Sequence, residues 1–474
     1  MRSLPHITLL CALLVPFGAG CRHVAPEPLS AARSAAALRA RNLQDPGLRE
    51  FMAEQLGHAP EPWPRERWGL ADLTLAALFF QPEMRVVEAA ADVAAAHVGA
   101  AGQLPNPTVS VLPQRLSNPS GGISPWLAAV QVDWTLETAG KRRHRRAAAQ
   151  ARAGAAALAI PAAAWGLRGR LLDALVSLAA AEARHANQAQ ARDTQAHLVG
   201  LLEARLRAGA VDESRVSLQR LALARMRADA ARSGRQALEA RAGLASVLGV
   251  SVAALEGVEI DFSLSEIPQD LAALESGKAQ RAALLGRADV LAMLSSYAAS
   301  EEDLRLELAK QVPDLHLGPA YEFDQGDNKW GLALALELPL LSQNQGSIDE
   351  ALARRRELAA RFERLQARVI GAVDAALASL RGSRAELREA RHLVEGARAR
   401  QRLTRAALSE GATDRVALLH TDLEVQRASV LLIDSEEQLQ HAAARLEQAV
   451  QPREAFAFRA PAGLAPEPST QETP

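Results

Sequence analysis

Two stretches of the chain alternate between apolar and polar side chains without a break. VQVDWTLE, residues 130–137, puts Asp133 and Glu137 on a polar face, opposite a face of valine, tryptophan and leucine. WGLALALEL, residues 330–338, repeats the pattern and puts Glu337 on its polar face. A period of two is that of a β-strand with one apolar and one polar face.

Each of these strands has a weaker partner upstream. TVSVL precedes the first, and LHLGPAYEFD precedes the second and puts Glu322 and Asp324 on its polar face. The loops between partners are rich in turn-forming residues and are predicted to begin at Pro113 and Asp324. We therefore predict two β-hairpins, residues 104–137 and 313–339.

Strands of this length are long enough to cross a bilayer when tilted. Four strands cannot close on themselves, and open strand edges cannot sit in lipid. A barrel must therefore be shared: eight strands from a dimer leave an interior filled by side chains, whereas 12 from a trimer leave room for water. The alternative is a soluble β-sandwich, which the long segments between the hairpins disfavour.

Those segments carry apolar residues at helical spacing. From Gly140 to Gly209 lie 69 residues, and from Gly346 to Gly411 lie 65, so a helix over either span would reach about 100 Å. The apolar stripe is typical of a coiled-coil seam. Pro161 is expected to kink or interrupt the first helix.

Both long helices are predicted to end at the same short motif. Gly-Ala-x-Asp occurs twice, at Gly209, Ala210 and Asp212 and at Gly411, Ala412 and Asp414. A left-handed glycine ends one helix and an aspartate caps the next. The predicted result is two helical hairpins, residues 141–248 and 347–450.

The motifs of the two halves follow the same order, about 206 residues apart. Adding 206 to Pro107 and Gly140 gives Pro313 and Gly346. A repeat this long is a duplicated domain-sized unit. The predicted organisation is a first repeat over 46–250, an inter-repeat belt over 251–278 and a second repeat over 279–452.

The start of the chain predicts export and a lipid anchor. Residues 1–20 have the short apolar run of a signal peptide. The small residues before Cys21 resemble a lipoprotein cleavage site, so Cys21 is expected to be acylated; the alternative is an ordinary signal peptide. Residues 21–45 are predicted to be a flexible linker and residues 453–474 a flexible tail.

Composition narrows the class of protein. The formal net charge is −1 and aromatic residues make up 4%, which together with export excludes nucleic-acid binding. No phosphate loop, nucleophile motif or metal-ligand set occurs, so no enzyme activity, cofactor or metal site is expected. The basic run 141–146 is interpreted as a helix start that faces lipid phosphates, or that is simply exposed.

The ordered motifs resemble those of one known family. They are QPEMRVVEAAADVAAAHVGAAGQLPNP and GRADVLAMLSSYAASEEDLRLELAKQVPDL before the strands, LETAGKRRHRR and LSQNQGSIDEA after them, and the two Gly-Ala-x-Asp tips. In this order, twice, they resemble the TolC-like outer-membrane factors. GKR and GDNKWGLALALELPLLSQNQG are most similar to the CzcC-type branch, which is associated with heavy-metal efflux.

This resemblance implies a mainly α fold with a small β part. A homotrimer would form a 12-stranded outer-membrane β-barrel and an α-helical periplasmic barrel. The resemblance implies a passive exit duct in a Gram-negative outer membrane, docked on a periplasmic adaptor and driven by an inner-membrane RND transporter. Divalent heavy metals are the expected cargo; drug efflux or type I secretion is the alternative within the fold, and a structural or adaptor coiled-coil lipoprotein is the alternative of another class.

Candidate functional residues follow from which side chains would face water. With apolar side chains toward lipid, the lumen would carry five acids and favour cations, or they would only keep the lumen wet. These acids are Asp133, Glu137, Glu322, Asp324 and Glu337. Both Gly-Ala-x-Asp tips are expected to dock on the adaptor.

The resemblance also implies a gate, formed by residues that narrow the pore at the periplasmic tip. The family often narrows the pore with aspartates six and nine residues after the second tip glycine, and here those positions are Ala417 and His420. Asp414, His420 and Asp422 are left as gate candidates, although Asp414 also suits a helix cap. A ring of three His420 side chains would suit a transition metal, but a lone histidine on a helix is usually solvated, so no metal site is predicted.

Overall fold

The computed structural model describes residues 23–117, 121, 124–266 and 275–452. The chain divides into two compact units, Met1–Arg41 and Asn42–Pro474. The predicted signal peptide, Cys21 and the C-terminal tail lie outside the described residues. The first unit contains helix α1, Ala31–Ala40, capped by the Ser30 hydroxyl; an alanine-rich run with such a cap favours helix, so part of the predicted flexible linker is helical.

The second unit is mainly helical. Its labelled elements are α2 Pro46–Leu56, β1 Arg67–Gly69, α3 Leu70–Phe80, α4 Pro82–Ala101, β2 Thr108–Arg115, β3 Trp126–Leu136, α5 Lys141–Arg207, α6 Glu213–Leu248, β4 Glu259–Asp261, α7 Ser276–Gly286, α8 Ala288–Ala309, β5 Leu315–Asp324, β6 Asp327–Leu336, α9 Gln345–Ser409 and α10 Arg415–Val450. From α4 onward, the order helix, hairpin, long helix and return helix occurs twice. The predicted duplicated fold is confirmed.

The two hairpins form one antiparallel sheet with strand order β2-β3-β5-β6. Trp134 lies opposite Leu317, which lies opposite Leu334, so apolar side chains form rows across one face. The residues between them form the polar face. β2 and β6 are the outer strands, and each pairs with one neighbour, so both edges expose backbone groups without a strand partner in the described sheet.

The strands extend further into the hairpin loops than predicted. β2 continues through Pro113 to Arg115, opposite Trp126. Proline is tolerated there because β2 is an edge strand. Gln325 and Gly326, both at positive φ, make a tight turn between β5 and β6. The turn-forming residues therefore predicted two loops that are longer than those in the structure.

Helix α5 is continuous across Pro161, so of the kink or interruption predicted there, the interruption is wrong. Ile160 and Ala164 flank the proline and are fully buried, in a core cluster that also contains Leu78 and Met84. Because the neighbouring helices hold both flanks, the loss of one backbone hydrogen bond does not end the helix.

The return helices are shorter than the long ones. α6 and α10 have 36 residues each, against 67 in α5 and 65 in α9. α4 and α8 cover the part of the long helices nearer the sheet: Met84 shares a core cluster with Ile160, and Val290 shares one with Val373. Each repeat therefore packs one long helix against two shorter ones.

The segment between the repeats folds back onto the first repeat. It begins with a 3-10 helix, Val252–Leu255, and continues into β4, which pairs in parallel with β1. Its predicted end at residue 278 falls inside α7, which begins at Ser276. Within the described ranges, no helix combines the length and the apolar composition that crossing a membrane requires.

Candidate functional site at the sheet junction and the helical tips

The polar face of the sheet carries three of the acids predicted to face the lumen. Asp133 lies 3.1 Å from Nδ1 of His316, and the Lys329 ammonium donates to Asp324 at 2.6 Å. Glu322 lies opposite Lys329 in the strand register. Each of these carboxylates therefore has a basic side chain beside it.

The other two predicted acids lie beyond the strand ends. Glu137 follows β3, and its carboxylate accepts hydrogen bonds from Arg145 at 2.6 and 3.1 Å. Only 11% of its side chain is exposed. Glu337 follows β6 and lines a cleft between sheet and helices that it shares with Asp314. Glu137 is thus held by the helix rather than by the sheet.

Lys141 joins the first long helix to the start of β5. Its Nζ donates to the Val312 carbonyl and to Oδ1 of Asp314, both at 2.7 Å. Thr138 donates its backbone N–H to the same Asp314 oxygen at 2.8 Å. The side chains of Lys141 and Asp314 are 9% and 27% exposed, so the lysine end of this link between the repeats is buried and the carboxylate end is partly open to the cleft.

Other members of the basic run also have partners within the chain. Arg145 donates to the Ala101 carbonyl at the C-terminal end of α4, where a helix attracts positive charge. Nδ1 of His144 lies 2.7 Å from Glu302 of α8. For Lys141, His144 and Arg145, the interpretation as a lipid-facing or simply exposed run is wrong, because they hold neighbouring elements onto α5.

At this junction, residues 206 positions apart are not structurally equivalent. It pairs Gly140 with Gly346, which lies inside α9. The residue that matches Gly140 in structure is Asn344: both precede a long helix, at φ of 72° and 63°. Asparagine adopts the left-handed conformation more readily than most residues other than glycine, so the same turn is built from a different residue.

Asp314 is expected to make the junction sensitive to acid. Burial alone would raise the pKa of the Asp314 carboxyl, but hydrogen bonds from Lys141 and Thr138 hold it below its ordinary value. A carboxyl with a lowered pKa stabilises the fold above its unfolded pKa of about 3.9 and loses that contribution as pH falls through the folded value.

We therefore expect the melting temperature in detergent to be nearly constant between about pH 7 and 5 and to fall below about pH 4. Asp314→Asn should melt lower than the wild type at pH 7, with a smaller decline in acid. Acid declines of equal size in the two proteins would contradict this role.

At the tips, the structure confirms the predicted turn geometry. Gly209 and Gly411 have φ of 72° and 73°. The carboxylates of Asp212 and Asp414 each accept the backbone N–H three residues further on, at 2.8 Å. Both aspartates are therefore N-caps of the return helices.

Asp414 also has a partner from the other repeat. Arg205, near the end of α5, donates to its second carboxylate oxygen at 2.7 Å. The hydrogen bond from the Ala417 N–H and this ion pair lower the pKa of Asp414. The pair ties the two tips together, and nothing in the local sequence at either tip indicates it.

The other two gate candidates differ in their surroundings. Asp422 accepts a hydrogen bond from Gln401 at 2.7 Å. His420 is exposed. In the part of the chain that the structure describes, no three His, Cys, Asp or Glu side chains are grouped as metal ligands.

Helix α5 also pairs with the second repeat away from its ends. The pairs are Arg152 with Asp303, Arg168 with Glu447, and Arg184 with Asp434 and Glu437. Arg168 donates to Glu447 at 2.8 Å, and the two side chains are 10% and 9% exposed. Sequence reasoning missed these pairs because the partners are about 150 to 280 residues apart.

One known protein family matches this chain twice, once in each repeat. The sequence profile of a family described as Outer membrane efflux protein matches residues 76–250 and 278–450, one match in each repeat. A search among curated proteins finds no match.

Solved structures share the fold. A membrane protein from Pseudomonas aeruginosa is 22% identical with a TM-score of 0.68, over 80% of this chain and 92% of that one. The outer membrane protein VceC from Vibrio cholerae is 18% identical with a TM-score of 0.66, over 80% and 95%. The Campylobacter jejuni CmeC outer membrane channel is 15% identical with a TM-score of 0.66, over 91% and 94%.

Proposed function

The chain belongs to the outer membrane efflux protein family, and from that premise we propose that it is the exit duct of a tripartite efflux pump. Family membership places it in the outer membrane of a Gram-negative bacterium and makes it a passive channel. It is not an enzyme. We propose in addition that Cys21 is acylated, and that the repeats span 46–250 and 279–452.

The observation that carries this proposal is the pair of open sheet edges, β2 and β6. In lipid, those backbone groups need partners. Because β2 and β6 run in opposite directions, β6 of one subunit fits antiparallel against β2 of the next. We propose three subunits, since the 12 strands of a trimer leave a water-filled interior and eight would not.

The helices support the same closure. α5 packs between α6 and α10, and α10 packs between α5 and α9, so α6 and α9 are the outer helices. Both expose large apolar side chains, including Leu218 and Leu221 on α6 and Leu403 on α9. We propose that α9 packs against α6 of the next subunit and closes a helical periplasmic barrel in the same subunit order.

For the partners, we propose a periplasmic adaptor and an inner-membrane RND transporter. The tips at Gly209, Ala210 and Asp212 and at Gly411, Ala412 and Asp414 are the proposed docking points. They are turns at the far ends of helices of about 100 Å, which suits contact with a partner across the periplasm.

For the cargo, we propose divalent metal cations. The resemblance to the CzcC-type branch supports this, and so does the charge of the sheet and its junction. The polar face of the sheet and the cleft at its junction carry seven carboxylates, the five predicted acids with Asp314 and Asp327, and four cations, Lys141, Arg145, Lys310 and Lys329, which leaves an excess of negative charge on the proposed lumen surface. Drug efflux and type I secretion are the alternatives within the family.

A deletion strain tests the cargo. We expect it to become sensitive to zinc, cobalt, cadmium or copper, and the plasmid-borne gene to restore growth. Sensitivity to hydrophobic drugs alone would replace the metal proposal with drug efflux.

Heat-stable trimers in outer-membrane fractions and conductance in planar bilayers test the channel itself. A water-soluble monomer without conductance would refute the channel proposal.

We propose that the tips form the gate, and that Arg205 with Asp414 holds it closed. Asp414→Ala should raise the open probability in planar bilayers and let large antibiotics enter cells. The expected cost in stability is only about 1 kcal/mol, because an N-cap and an exposed ion pair are lost.

Asp212→Ala is the matched control. It removes the equivalent N-cap, but Asp212 accepts from its neighbour Ser214 rather than from the other repeat. If both variants open the channel equally, the effect comes from helix fraying and the gate proposal at Asp414 is wrong.

His420→Ala should leave metal tolerance unchanged if that side chain is only solvated.

A further inference from the structure

Three arginines of α9 lie at intervals of seven residues near the tip. Arg391, Arg398 and Arg405 are all exposed, and this spacing places them about 10.5 Å apart along one side of the helix. We call them the outer arginine row. Arg398 and Arg405 make no ion pair or hydrogen bond with any described residue.

Several arginines nearby are paired with carboxylates, whereas Arg398 and Arg405 of the row, like Arg402 and Arg427, have no such partner among the described residues. Arg205 pairs with Asp414, Arg220 with Glu203 and Glu213, and Arg400 with Glu424. Residues 192–227 and 391–427 together carry 14 arginines and nine carboxylates, although the whole chain has a net charge of −1. The tip region is therefore a basic surface whose excess charge includes the row.

The row lies on a defined flank of the second hairpin. α9 buries Leu387, Ala390 and Val394 along its seam with α10. On a helical wheel, Leu393 and Arg400 fall on one side of this seam, and the outer arginine row falls on the other. Leu393 and Arg400 line a groove with Glu424, Arg427 and Leu431 of α10.

The groove and the row therefore face opposite sides of the tunnel wall. Ala417 and His420, which occupy the two positions at which the resembled family narrows its pore, share one face of α10 with Glu424, Arg427 and Leu431, at spacings of three, four and seven residues. If that face lines the pore, the groove is luminal and the row faces the periplasm.

We propose that the outer arginine row binds an acidic helix of the periplasmic adaptor, with carboxylates at a matching seven-residue spacing. This inference rests on the proposed function. Guanidinium groups bind carboxylates in a bidentate geometry that ammonium groups do not reproduce. A row of exposed guanidinium groups, two of them without a partner in the chain, is complementary to such a helix in both charge and spacing.

Two helical probe peptides of about four heptads test the row. They are identical except that one carries glutamate and the other lysine on the contact face. We expect the glutamate peptide to bind full-length protein in detergent and to bind more weakly as salt rises. Arg398→Glu with Arg405→Glu should weaken binding at least about tenfold, and lysine at both positions should restore part of it.

Arg364→Glu with Arg368→Glu is the matched control. It makes the same charge change at exposed positions of α9, about 45 Å from the row, and should bind like the wild type. Equal binding of both peptides, equal loss in the control, or loss of trimers in place of peptide binding would overturn the proposal. Conductance of the same samples distinguishes failure of the arginine-row proposal from failure of the channel proposal. A wild-type protein that conducts but binds neither peptide refutes only the arginine-row proposal. A wild-type protein that does not conduct refutes the channel proposal.

Discussion

Gly318→Ala is expected to reduce assembly of the protein in the outer membrane by an order of magnitude or more. A Cβ at position 318 would lie 1.8 Å from the carbonyl oxygen of Val132 and 2.7 Å from its carbonyl carbon. Both are backbone atoms of the adjacent strand β3, so no side-chain rotation can relieve the clash. Strands β3 and β5 must therefore move apart where the two repeats join, which is expected to reduce the stability of the folded protein by about 3 kcal/mol.

The measurement is the yield of heat-stable oligomer in outer-membrane fractions, which we expect to fall by an order of magnitude or more, since about 3 kcal/mol is a factor of more than 100 in equilibrium. Gly331→Ala in β6 is the matched control, because a Cβ there meets no atom within 4 Å. It should assemble normally. Similar yields from the two variants would show that close strand contact at Gly318 is not required.

Glu447→Gln is expected to destabilise the protein by about 3 to 5 kcal/mol, because it removes the carboxylate that faces the buried Arg168 guanidinium. Arg168 and Glu447 are each about nine-tenths buried, and the guanidinium also donates to Thr74 of α3 at 3.4 Å. The ion pair therefore joins α3, α5 and α10, which belong to both repeats. Unfolding by heat and denaturant, followed by helical circular dichroism in detergent, measures the loss.

Asp303→Asn provides the comparison. It breaks another pair between an α5 arginine and the second repeat, but Arg152 and Asp303 have side-chain exposures of 49% and 37%, so the expected loss is at most about 1 kcal/mol. Replacing both Arg168 and Glu447 with leucine should recover much of the stability lost in Glu447→Gln. Equal losses in Glu447→Gln and Asp303→Asn would contradict the role of burial.

Features with a local signal were predicted well. The alternation through Trp134 and Trp330 located β3 and β6, and Gly-Ala-x-Asp located both tips, because side-chain period and turn chemistry depend on residues close in sequence. Pro161 shows the limit of such signals. Its breaking tendency is also local, but packing around Ile160 and Ala164 overrides it.

The candidate site was predicted only in part. The acids of the sheet were found from alternation, yet the pairing of Glu137 with Arg145 and of Asp133 with His316 was not. The basic run was recognised as a feature, but its partners were not, because the end of α4 and the start of β5 reach it only in the folded chain.

The sequence by itself determined the duplication, the two amphipathic hairpins, the long helices with their tips, and the family to which they belong. All of these follow from periodicity, caps and motif order within one stretch of chain. The tertiary structure alone decided which strands form the sheet edges, where the long helices are covered, and how α5 pairs with the second repeat. Those outcomes depend on contacts between residues that are distant in sequence, and side-chain type alone does not specify the partner.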